Sequence, residues 1–125
     1  MKNAKFPGLV MIMLLVGVVG YAQAEDFRKL SGAQIRAKLV GMQLTDESHW
    51  IEAFEPGGKL TSIEMGRMRT GQWHINKDQL CESYSKSEDK NCYDVWISGR
   101  TVQMRSQGST VSPFEGVLER ITKRR

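Results

Sequence analysis

A mainly β fold, a small antiparallel barrel or meander sandwich of about seven strands with one N-terminal helix, follows from three features of this sequence. From residue 49 onward, short runs rich in aromatic and β-branched residues alternate with turn signals, at the spacing of small all-β domains. Only one stretch carries convincing helix-start chemistry. Two cysteines, Cys81 and Cys92, bracket a polar loop and suit a covalent staple.

The first segment sets the compartment. Lys2 and Lys5 precede an apolar run from Leu9 to Gly20, and Tyr21-Ala22-Gln23-Ala24 places small residues where signal peptidase reads. This is the pattern of a secretory signal peptide cleaved after Ala24, and the run falls short of the roughly 20 residues needed to span a bilayer. The expected location is periplasmic, with no stable membrane span after cleavage. Residues 25–125 then form one β-rich domain, in which 119–125 is read as a frayed basic tail. Lys2 and Lys5 leave with the signal, so 16 basic residues face 14 acidic ones and the net charge falls from +4 to +2. Such a near-neutral exported chain gives no reason to expect a nucleic-acid partner.

The helix opens the mature chain. Ser31 is placed to cap it and Gln34 stands three residues later, the capping-box spacing, while Leu30 and Ile35 match a hydrophobic staple. Ile35 and Leu39 share a face, and Gly41 is placed to end the helix. So short a helix is not stable alone; its apolar stripe must dock on the strands that follow.

Those strands are expected at His49–Phe54, Lys59–Met65, Thr70–Ile75, Gln79–Tyr84, Cys92–Ile97, Thr101–Arg105 and Gly116–Ile121, separated by signals such as Pro56-Gly57-Gly58, Asn76-Lys77-Asp78 and Ser98-Gly99-Arg100. If the two strands carrying Cys81 and Cys92 pair antiparallel, both sulfurs reach the base of one loop. In an oxidising compartment a lone cysteine pair is most simply a disulfide.

Catalytic and metal chemistry find little support. His49 and His74 are the only histidines, and neither has the spacing of a zinc site. No nucleophile elbow, phosphate loop or dinucleotide fingerprint occurs, and acidic pairs such as Glu52 and Glu64 are commonplace on a sheet. The chain is read as non-enzymatic, without cofactor or metal. Binding residues are easier to nominate. Trp73 and Trp96 read as core, whereas Trp50, between His49 and Glu52, reads as a rim residue. Arg67 and Arg69 sit in a loop or strand end where a guanidinium meets an anion or acidic partner. The methionines Met65, Met68 and Met104 are spaced too irregularly for a copper site and read as core filling.

The order Leu30-Ser-Gly-Ala-Gln-Ile-Arg36, Phe54-Glu-Pro-Gly-Gly-Lys-Leu60, Gly71-Gln-Trp73, Gln79-Leu-Cys81 and Cys92-Tyr-Asp-Val95 resembles a group of small exported alphaproteobacterial proteins of uncharacterised function. The resemblance covers about residues 29–105 and implies an exported β domain; it carries over no active-site residue. Gly58 stands where the group's turn usually has an acidic residue.

The sequence therefore points to a periplasmic binding or accessory module on a disulfide-stapled β domain, with an unidentified small molecule, hydrophobic or anionic, or an envelope protein as partner. The alternative is a proteinaceous inhibitor of an envelope-attacking lysozyme or protease, inserting the loop between the cysteines and using Glu88 and Asp89 as contacts.

Overall fold

The computed structural model of the chain describes residues 26–84, 90–108 and 113–122. The signal segment and the loop positions Glu88 and Asp89 lie outside the described residues. Two short elements come first, β1 (Arg28–Lys29) and α1 (Gly32–Leu39), then β2 (Met42–Thr45), β3 (Trp50–Phe54), β4 (Lys59–Glu64), β5 (Arg67–Asn76), β6 (Gln79–Ser83), β7 (Asn91–Ser98), β8 (Thr101–Arg105) and β9 (Phe114–Arg120). Strands β2 to β9 pair antiparallel in a ring, β2 with β9 and β7 with β8, so eight strands close a barrel and abolish its edges. The extra strand β1 lies on β7, with Arg28 opposite Ile97 and Lys29 opposite Trp96.

The helix closes one end of this barrel. Both bonds of its capping box form, Gln34 N–H to Ser31 Oγ and Ser31 N–H to Gln34 Oε1. The Gly32 N–H donates to Asp78 Oδ1 at 2.7 Å, tying the helix start to the β5–β6 turn. At the other end Gly41 takes a φ of +78°, which a side chain disfavours, and its N–H donates to the Phe54 carbonyl. Ile35 and Leu39 are thereby pressed into the barrel with Leu30, Leu44, Phe54, Leu60, Trp73, Leu80, Val95, Ile97, Val102 and Leu118. The expected docking of the helix is this end-on closure.

Two strands escape sequence reading. β2 has only four residues, with Gln43 and Thr45 buried beside Leu44, so no polar face marks its alternation. β1 is two exposed basic residues. Arg67 and Arg69 stand at the starting end of β5, within the expected loop or strand end, although the strand begins before the expected Thr70. Two further expectations are corrected. Trp96 is not core: it pairs with Gln103 next to inward-facing Val95 and Ile97, and the Arg105 guanidinium sits 4.2 Å over its ring. Of the three methionines only Met104 is buried, while Met65 and Met68 are exposed. Strand β9 extends to Arg120, two residues into the stretch expected to fray.

Candidate functional site

The two ends of the barrel differ in chemistry. Strand polarity puts the turns 55–58, 77–78 and 99–100 at the helix end, and the turns 46–49 and 65–66 at the far end, which no described element crosses. Period-2 alternation sends Glu52 inward between Trp50 and Phe54 on β3, and Glu82 inward after Leu80 on β6. Register confirms both, since Glu52 lies opposite Leu44 and Ser62, and Glu82 opposite Trp73. Glu52 is only 9% exposed and Glu82 only 4%.

These acids approach each other across the interior closely enough for the Glu52 charge to raise Glu82. The Tyr84 hydroxyl donates to Glu52 Oε1 at 3.0 Å, while Glu52 Oε2 and Glu82 Oε1 have no donor among the described residues. A carboxylate oxygen in that state is costly. Burial first, then the neighbouring Glu52 charge, pushes Glu82 up to about 9; Glu52 is raised by burial and by the Glu64 charge, against the lowering effect of its contacts with Glu82 and Tyr84. A proton taken up by the pair relieves the repulsion of like acids forced together. The same acids, after burial itself, raise the phenols of Tyr84 and Tyr93.

Around this pair stands a mixed wall. The Arg69 guanidinium lies 4.2 Å over the Tyr84 ring. Trp50 and Phe114 stack with centroids 4.2 Å apart, and Trp50 also lines a separate pocket at the 46–49 turn, with Thr45, His49, Ile63 and Gly66, that neither acid lines. Gly116 makes room for the indole, because a Cβ there would stand 2.6 Å from Trp50. The exit turn beside it is held by Asp46. Partial desolvation raises that carboxyl, but the N–H groups of His49, Ser48 and Trp50 and the His49 ring outweigh it and hold it well below the usual carboxylate range.

The nominated residues thus separate. Trp50 and Arg69 come together at the far end, and Arg67, opposite Glu64, is exposed nearby. Cys81 and Cys92 form the disulfide between β6 and β7, their Cα atoms 4.0 Å apart, the close kind of antiparallel pair. Glu52 faces Ser62 rather than Glu64, and its true partner, Glu82, was missed. The legible signal was a carboxylate inside a period-2 apolar column, Trp50-x-Glu52-x-Phe54 and Leu80-x-Glu82-x-Tyr84. His74 is exposed opposite Cys81, and His49 is bound to Asp46. Among the described residues no three His, Cys, Asp or Glu side chains group closely enough to hold a metal ion, and no helix is long and apolar enough to cross a membrane. No protein-family model, curated protein or solved structure matches the chain.

Proposed function

We propose that this chain is a non-catalytic binding module of the periplasm that receives a small ligand at the far end of its barrel. The observation that carries the reading is the carboxyl pair Glu52–Glu82, buried with no ion-pair partner among the described residues. Hydrocarbon of the same volume, as at the helix end, would stabilise the barrel more, and perturbed acids without a structural counter-ion gather where ligands are handled. Trp50 and Phe114 add a flat apolar wall suited to an aromatic or ring-shaped body. Interior acidity turns the reading away from an anionic ligand. The Cys81–Cys92 bond suits an oxidising compartment, and the export signal read in residues 1–24 makes that compartment the periplasm.

The test is native mass spectrometry of protein taken from the periplasm, compared with Trp50→Ala. A small molecule carried by the wild type and lost from a folded, disulfide-bonded variant supports the reading. Bare protein in both samples, with a polypeptide captured instead, would replace it by a protein-partner role.

A further inference from the structure

Resting on that binding reading, we propose that the ligand is a small organic cation, an amidinium or ammonium on a flat apolar body, whose N–H groups bond to Glu52 Oε2 and Glu82 Oε1. Both oxygens are buried and lack a donor among the described residues. The ion pairs of the described residues, Lys29–Asp94, His49–Asp46 and Lys59–Glu55, leave both acids out. Two acceptor oxygens on opposing carboxyls call for at least two donors on one positive group, which an amidinium fork or an ammonium supplies.

Other occupants fit less well. A divalent metal needs more oxygen ligands than two carboxyls offer, and no third metal-ligating side chain stands with them among the described residues. An anion would meet two acids in low dielectric. A neutral apolar molecule would leave both oxygens as they are. The walls, in contrast, already accept a planar cation: Arg69 lies over the Tyr84 ring, one hydrogen bond from Glu52. Trp50 and Phe114 at the same end offer the aromatic faces on which organic cations rest.

The titratable groups that face the pair are Glu64, Tyr84 and Tyr93, and the Arg69 guanidinium lies over the Tyr84 ring. Since Glu82 holds its proton to about pH 9, a cation entering at neutral pH must displace that proton. Affinity then rises close to tenfold per pH unit below that point, by the linkage of one released proton.

Titration of the oxidised protein with benzamidine, neutral benzamide and anionic benzoate at pH 6, 7 and 8, followed by tryptophan fluorescence and calorimetry, tests the assignment. Benzamidine alone should bind, with a Kd falling about tenfold per pH unit. In Glu82→Gln, and independently in Glu52→Gln should the first variant fold poorly, the Kd should weaken at least tenfold at pH 8 and lose its pH slope. Benzamide or benzoate binding as tightly, or a Kd that ignores pH, overturns the cation assignment while leaving a binding site. Silence of all three overturns it too, and the binding reading is then decided separately by the co-purified ligand.

Discussion

Glu52 on β3 and Glu82 on β6, with two strands of wall between them, face each other inside the barrel, where burial and the Glu52 charge raise Glu82. That raised acid makes the protein's stability depend on pH in a defined direction. Glu82 titrates near its ordinary 4.5 when unfolded and at about 9 when folded, so between those values the native state binds a proton that the unfolded chain has released. Stability is fully present below about pH 4.5 and is lost as pH rises toward 9. The loss should be on the order of 2–4 kcal/mol, less than the full shift implies because a relaxed barrel admits water. Denaturant midpoints at pH 5, 7 and 9 check it; in Glu82→Gln, which mimics the protonated acid, the midpoint should stay nearly level. A wild type that gains stability from pH 5 to 9 would contradict the raised acid.

Asp46 acts in the opposite sense. Its carboxyl is held below its ordinary 3.8 by backbone N–H groups of the turn, so its contribution is present above that value and lost as pH falls through the lower folded one. Asp46→Asn should therefore soften the acid limb of the stability profile and leave the limb between pH 5 and 9 untouched. A variant that shifts both limbs equally would show that the turn and the interior pair are coupled.

At Gly32 local propensity and tertiary contact give opposite signs. Alanine at a helix position normally gains up to about 1 kcal/mol over glycine. Here a Cβ would be driven into the Lys77 carbonyl, on the turn that Asp78 ties to the same residue, and crowd the Ile75 side chain at the end of β5. Gly32→Ala should instead destabilise by roughly 2–3 kcal/mol, the scale of overpacking, as read from the thermal midpoint. A neutral or stabilised variant would mean that the helix is not clamped to the β5–β6 turn.

The contrast at Gly32 also marks the limit of what the residues tell in advance. The capping box Ser31/Gln34, the helix stop at Gly41 and the pairing of Cys81 with Cys92 are set by neighbours a few residues away or by a unique partner, and all three were legible. The choice of a closed barrel over a meander sandwich was not, because it rests on β2, where Gln43 and Thr45 are buried and no alternation shows. Trp96 was misassigned for the converse reason: a half-buried tryptophan covered by Arg105 on the outer face has the same local sequence signature as a buried one. The acid pair needed the register of four strands. Glu52 and Glu82 each sit in an inward column, yet only the ring of β3 to β6 brings the two columns face to face.

Gly116 tests the far end separately. It lies under the Trp50 indole, which stacks on Phe114. Gly116→Ala should push the ring outward, at a cost of about 1–2 kcal/mol, and shift tryptophan emission to the red, since Trp73 and its bond to the Glu55 carbonyl are remote from the change. Unchanged emission would place Trp50 off the interior wall and remove the apolar face on which the binding reading relies.

The disulfide is the last element whose contribution can be separated from the rest. It joins directly opposed residues of β6 and β7, with a sequence separation of 11, and β6 also carries Glu82 one residue away. Chain-entropy reasoning for a loop of this size gives about 3 kcal/mol, a large share of the roughly 5–10 kcal/mol expected for so small a domain. The double variant Cys81→Ala/Cys92→Ala should lose that amount in denaturant, and reductant should lower the wild-type midpoint equally while leaving the variant unmoved. Because the barrel ring is closed by hydrogen bonds on every strand, the variant should keep its far-ultraviolet dichroism at low denaturant. Collapse of that signal would show that the staple, rather than ring closure, holds β6 and β7 together, and that Glu82 owes its burial to the bond beside it.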